Sequence, residues 1–214
     1  MRRIIDLSLP ITVEDPRGTV RMEPYRTIAD HGAMITLVTF DTHLGTHLDA
    51  PCHQIAGAPT LDQLDLAKCI GPAEVIYLSF KIPPHHLITV ADLEPYADRI
   101  RPGGRMLIRT DWNLRFGRPD WTTGYPAFTV ESAQWLADRD VVLIGIDTPS
   151  VAPVYLGMRI TNEVHWPLLR KEIVLVEGLT NLHQLTRQTV TFVALPLNLV
   201  GKDGCPVRAI AVEE

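Results

Sequence analysis

Apolar residues fall along this chain in short blocks. Residues 105–110 (RMLIRT), 141–146 (VVLIGI), 173–176 (IVLV) and 190–195 (VTFVAL) are runs with little polar interruption, the pattern of strands buried on both faces. Two longer runs, 33–40 (AMITLVTF) and 73–80 (AEVIYLSF), are rich in β-branched residues, and the second lies between Gly71-Pro72 and Pro83-Pro84. Both are predicted strands, the first running into the histidine-rich segment that follows it. PVRAIAV near the C-terminus is the predicted last strand.

Helical spacing appears twice in the middle of the chain. Thr89 precedes Leu93, Tyr96 and Ala97, a segment that stops before Pro102-Gly103, and Thr129 stands as the cap of ESAQWLADR. Residues 111–128, punctuated by Gly117, Pro119, Gly124 and Pro126, read as the longest loop, and loops of that length are often functional. Its aromatics, Trp112, Phe116, Trp121, Tyr125 and Phe128, are candidates for a pocket wall or for ordinary packing. Helices alternate with strands in the middle and both ends are strand-heavy, which predicts an α/β fold, a single domain over residues 1–214 with a mixed sheet.

Composition narrows the function. A chain of 214 residues buries about 70–75% of its unfolded surface, enough for a core without disulfides or a structural metal. The net charge of -5 lacks the clustered Lys and Arg of a nucleic-acid footprint. Cys52, Cys69 and Cys205 show no CxxC spacing, which argues against a disulfide framework or zinc knuckle and for a reducing cytoplasm. The opening MRRIIDLSLPI is interrupted by Asp6 and Pro10, unlike a signal h-region, and no segment reaches the ~18 apolar residues of a membrane helix.

The chemistry concentrates in DTHLGTHLDAPCH, where His43, His47, Asp49 and His53 fall close together. A helical zinc site of the HExxH kind does not fit: the glutamate is absent, Gly45 and Thr46 are poor helix formers, and Pro51 follows closely. In an extended chain positions 43, 45, 47 and 49 share a face, and Gly45 is expected to leave a hole between the two imidazoles. Four residues of straight strand span about 13 Å, too far for two imidazoles to reach one ion at ~2.1 Å, so a bulge or bend is predicted at Gly45-Thr46. His/His/Asp suits Zn²⁺ or Mn²⁺, and Asp49 has oxygens enough to bridge two ions. His53, beyond Pro51, is placed for proton transfer near neutral pH. Asp147, in GIDTP, is read as orienting a ligand histidine or capping the following turn, and Cys52 has no activating partner.

Downstream, TNEVHWPLLRKEIVLVEGL reads as a short helix followed by a strand that ends at Glu177. By themselves His165 is a helix-terminus histidine and Glu177 a solvated charge. The run HLGTHLDAPCH, however, resembles the HxGTHxDxPxH signature of the cyclase family, which includes bacterial kynurenine formamidases and related metal-dependent amide hydrolases. IAGAPTLDQLDL, GIDTPSVAP, EGLTNL and FVALPLNLVGKDGCPVRAIAV resemble that family as well.

The resemblance implies mixed β-sheets with flanking helices, of the swivelling β/β/α kind, in a homodimer or homotetramer. It places metal ligands at His43, His47, Asp49, His165 and Glu177, with two divalent ions, Zn²⁺ or Mn²⁺, in each subunit. His53 matches the family's catalytic histidine, acting as general acid/base while metal-activated water cleaves an N-formyl aryl amide or cyclic amide. Isatin-type lactam opening and carbamate hydrolysis are the rivals within enzymes, and a non-catalytic metal-binding scaffold is the rival outside them. Residues 11–25 (ITVEDPRGTVRMEPY) hold no tryptophan, whereas the family's kynurenine formamidases carry one there against the substrate.

Overall fold

Four of the apolar runs form the spine of one sheet. The computed structural model describes residues 2–14, 19–78 and 82–214, so Ser79 and Phe80, the end of the predicted strand 73–80, lie outside the described residues. Its strands are β1 (Arg3–Asp6), β2 (Arg21–Arg26), β3 (Ile35–Thr39), β4 (His47–Asp49), β5 (Ile70–Tyr77), β6 (Leu87–Ile88), β7 (Arg105–Arg109), β8 (Ala127–Phe128), β9 (Leu143–Ile146), β10 (Val174–Glu177), β11 (Thr189–Val193), β12 (Gly204–Pro206) and β13 (Ile210–Glu213). The helices are α1 (Ile28–His31), α2 (Val90–Leu93), α3 (Val130–Ala137) and α4 (Met158–Arg170).

Nine strands make a single mixed sheet in the order β1-β13-β11-β5-β7-β9-β10-β4-β12. The central four, β5, β7, β9 and β10, are parallel, and antiparallel pairs flank them on both sides. Alternate side chains of these buried strands enter two cores. Leu107, Leu143, Val174 and Val176 pack with Leu48, Leu61, Phe192 and Ala211 on one face, while Met106, Ile108, Ile144, Ile146 and Leu175 meet α3 and α4 on the other. Full burial on both faces explains why these strands read as unbroken apolar runs.

The helices follow from their caps and stripes. Thr129 accepts a hydrogen bond from Ser132 N at 3.0 Å and starts α3. Thr89 starts α2, but Pro95, which has no N–H to donate, follows at once and the segment continues only as a 3-10 helix over Glu94–Arg99. In α4 the buried residues Thr161, Val164, His165, Leu168 and Leu169 fall on one stripe at spacings of three and four.

Two expectations need correction. The run 33–40 yields β3, but among the described residues β3 pairs only with β2, and the residues of both strands are exposed; the chain turns between Thr39 and His47 instead of running straight into the histidines. The stretch 111–128 is less of a loop than predicted. It carries a 3-10 turn at Trp112–Arg115 and ends in β8, paired with β6, because Trp112, Tyr125 and Phe128 are buried. Among the described residues no helix is long and apolar enough to cross a membrane.

Candidate metal centre

Strand pairing and one helix stripe assemble the site. β4 lies antiparallel to β10 with His47 opposite Glu177 and Leu48 opposite Val176, so Leu48 enters the core while His47, Asp49 and Glu177 share the other face. The buried stripe of α4 lays His165 over that face. The two sequence segments, more than a hundred residues apart, thereby meet.

His43 reaches the same place through the predicted bend. Gly45 adopts φ +59°, which an L side chain rarely tolerates. Thr46 fixes the turn by accepting from Leu9 N at 2.8 Å and donating to Gly178 O at 2.5 Å. The reason for the glycine is different from the one expected: a Cβ at position 45 would meet only Ile11, at 3.9 Å, so the glycine serves the backbone and does not hold open a gap between imidazoles. His53 follows through the 3-10 turn Pro51–His53.

The donor atoms converge tightly. His47 Nε2 lies 3.4 Å from both Asp49 Oδ1 and Glu177 Oε2, and His165 Nε2 lies 3.5 Å from Glu177 Oε1 and 3.9 Å from Asp49 Oδ2. His43 Nδ1 is 2.8 Å from Asp49 Oδ1, and its ring centroid is 4.0 Å from that of His53. Two groupings have ligand atoms close enough to share an ion, His43–Asp49–His53 and His47–Asp49–Glu177, with Asp49 common to both. His53 is thus near enough to be a ligand.

The surroundings fit a cation. His47 Nδ1 faces Gly45 O at 3.1 Å and His165 Nδ1 faces Thr161 O at 2.8 Å; with the Nδ1 protons donated to those carbonyls, the Nε2 lone pairs are left for the centre. Asp49 Oδ2 is buried with no hydrogen-bond partner, an arrangement that costs free energy unless something positive meets it. Burial works to raise the Glu177 carboxyl, as does the charge of Asp49, but the bonds to His165 and His47 prevail and hold it below the usual carboxylate range. Burial works against a charged His47, yet Asp49 and Glu177 push its pKa up to about 10. His165 is raised despite its burial, chiefly by Glu177, whereas burial lowers His53 and favours its neutral form.

Three residues not singled out in the sequence, Ser150, Val151 and Asp203, support the cluster. Ser150 Oγ and Val151 N donate to Glu177 Oε1 at 3.0 and 2.7 Å, and Asp203 Oδ2 is 2.8 Å from His43 Nε2. Asp147 touches none of the cluster histidines; it accepts from Thr110 N, Thr110 Oγ1 and Asp111 N and so ties the end of β9 to the end of β7. Burial pushes its carboxyl up to about 7. The Cys52 thiol is raised by burial, consistent with a residue that is no nucleophile.

A cavity of about 510 Å³ opens beside the cluster, lined by His43, Gly45 and His47 together with Leu9, Pro10, Thr12, Phe116, Pro119 and Trp121. Of the five loop aromatics, Phe116 and Trp121 therefore line the cavity, in edge-to-face contact at 5.7 Å, while Trp112, Tyr125 and Phe128 pack inside.

The chain matches a family model described as "Putative cyclase" over residues 5–153. It is similar to the kynurenine formamidase of Bordetella petrii, 32% identical over 224 residues covering 100% of this chain and 99% of that protein. The kynurenine formamidase of Bordetella avium is 33% identical over 224 residues, with the same coverage. Among solved structures it is similar to isatin hydrolase A from Ralstonia solanacearum, with a TM-score of 0.84 at 25% identity, covering 100% of this chain and 92% of that one. Since the model spans the histidine segment and the formamidases align from end to end, the chain belongs to the cyclase family.

Proposed function

We propose that this chain is a metal-dependent hydrolase of a C–N bond outside peptides, cleaving an N-formyl aryl amide or a cyclic amide. The observation that carries the reading is the buried Asp49–Glu177 pair facing the Nε2 atoms of His47 and His165 at 3.4–3.9 Å, beside an aromatic-walled cavity. The names of the relatives, a formamidase and an isatin hydrolase, denote hydrolysis of an acyclic and a cyclic aryl amide, which supports this substrate class.

His43, His47, Asp49, His165 and Glu177 would hold Zn²⁺ or Mn²⁺, two ions per subunit, with Asp49 common to both candidate groupings. When bound, such ions make water acidic enough to deprotonate near neutral pH and polarise the amide carbonyl. The protein then has three tasks. Ser150 and Val151 N hold one Glu177 oxygen in place. Phe116 and Trp121 orient an aryl ring and exclude water from one side of the cavity. His53, with Nδ1 3.6 Å from Asp203 Oδ2, uses Nε2 to take the proton from water and return it to the leaving nitrogen, a contribution of typically 10²- to 10⁴-fold.

The whole of residues 1–214 acts as one catalytic domain in the cytoplasm. The exposed β2–β3 hairpin, with Tyr25 66% and Leu37 58% accessible, favours a homodimer or homotetramer. A panel of N-formylkynurenine, isatin, simple cyclic amides and a carbamate, assayed on chelator-stripped protein reloaded with Zn²⁺ or Mn²⁺, tests the reading. Turnover of at least one amide, abolished by chelator, is expected. Ion-replete protein that cleaves none would make the chain a metal-binding scaffold instead.

A further inference from the structure

The loop before β12 is clamped, residue by residue, to the segment that carries the histidines. Gly201 N donates to Asp62 Oδ1 at 2.8 Å, Lys202 O accepts from Leu61 N at 2.8 Å, and Asp203 O accepts from Ala50 N at 2.9 Å. Gly204 then pairs with Asp49 across β12 and β4. These bonds fix the backbone of residue 203 against the centre, within side-chain reach of His43.

His43 packs directly on this backbone. A Cβ at Gly204 would stand 2.9 Å from His43 Cε1 and 2.8 Å from Leu48 O, closer than real Cβ contacts, so the glycine makes room for the imidazole. The ring is then held at both nitrogens, with Nε2 2.8 Å from Asp203 Oδ2 and Nδ1 2.8 Å from Asp49 Oδ1. Thr42 Oγ1 is 3.3 Å from both carboxylate oxygens of Asp203 and limits the rotation of that group. The 3.6 Å separation from His53 Nδ1 is too long for a hydrogen bond, so the specific partner is His43.

We propose that Asp203 is a positioning residue of the metal centre: it accepts a hydrogen bond from His43 Nε2–H, which makes Nδ1 the atom that would ligate an ion shared with Asp49. A carboxylate behind a ligand histidine fixes the tautomer and the ring torsion and strengthens the ligand, and its loss typically costs 10- to 100-fold in metal affinity. This inference rests on the metal-dependent reading, and it gives a role to a residue that touches neither substrate nor reacting atoms.

The test is Zn²⁺ affinity of the full chain, measured by competition with a chromophoric chelator, for wild type, Asp203→Ala, Asp203→Asn, His43→Ala and the Asp203→Ala/His43→Ala double variant. Asp203→Ala should bind Zn²⁺ about 10- to 100-fold more weakly, and Asp203→Asn, nearly isosteric and still able to accept, should fall between it and wild type. Because Asp203 acts through His43, the double variant should be no weaker than His43→Ala alone, a non-additivity that a general structural defect would not produce. Wild-type affinity in Asp203→Ala, or full additivity in the double variant, would overturn the inference and leave the metal-dependent reading intact. A wild-type chain that binds neither Zn²⁺ nor Mn²⁺ would overturn both.

Discussion

Asp49→Asn is the most discriminating single substitution, because Asp49 is the residue common to both candidate ion groupings. The change is nearly isosteric, at a residue 1% exposed, yet it withdraws charge from every ion the cluster could hold. An ion present at 100 to 1,000 times its dissociation constant stabilises the folded state by about 2.7 to 4.1 kcal/mol. For a chain of this length each kcal/mol moves the melting temperature by about 2–4 °C, so wild type should gain about 5–16 °C between chelator and saturating Zn²⁺. Asp49→Asn should gain less than about 2 °C, and His43→Ala, which touches one grouping, should keep part of the shift. Thermal unfolding followed by circular dichroism at fixed pH, with chelator, Zn²⁺ and then Mn²⁺, reads the difference. A wild-type upshift in Asp49→Asn would refute the shared-carboxylate argument.

His53→Gln should lower kcat by about 10²- to 10⁴-fold while ion content measured by elemental analysis stays at the wild-type level; unchanged kcat would remove His53 from proton transfer, and loss of an ion would make it a ligand. Trp121→Ala should raise KM for aryl amides by about tenfold, the worth of one aromatic contact, and leave small aliphatic amides unaffected. An equal change for both would mean that the ring packs the loop without touching substrate. Asp92 accepts from Thr89 N and His86 Nε2, and although burial works to raise its pKa, those bonds prevail and lower it. Its folded value is thus below its unfolded one, so its contribution is complete above the ordinary carboxylate pKa and fades as pH falls through the lower folded value. Asp92→Asn should therefore cost about 1 kcal/mol at pH 7 in urea unfolding, and the gap should narrow as pH falls below the ordinary carboxylate range; a gap independent of pH would contradict this.

The sequence made the sheet legible where burial was complete. Runs such as 143–146 and 174–177 are strands with a core on each face. The bend at Gly45-Thr46 was also legible, because two imidazoles four residues apart in straight strand cannot reach one ion. Other features depend on contacts that no local pattern encodes. The run 33–40 has the residues of a buried strand, yet among the described residues β3 pairs with β2 alone. Trp112 and Trp121 look alike in a loop sequence, but only the cross-chain geometry sends one to the core and the other to the cavity. Asp203 lies in KDG, a tripeptide that reads as a turn, and its link to His43 spans 160 positions. Ser150 shows the same limit: a buried carboxylate needs donors, but the sequence does not say which strand end supplies them.

Anomalous diffraction at the zinc edge, on crystals of the Zn²⁺-loaded chain, tests the convergence of the two distant segments most directly. A peak within about 2.0–2.2 Å of His47 Nε2, His165 Nε2 and oxygens of Asp49 and Glu177 is the predicted result. Zinc held only at surface histidines or cysteines, with His165 turned away from the two carboxylates, would contradict it.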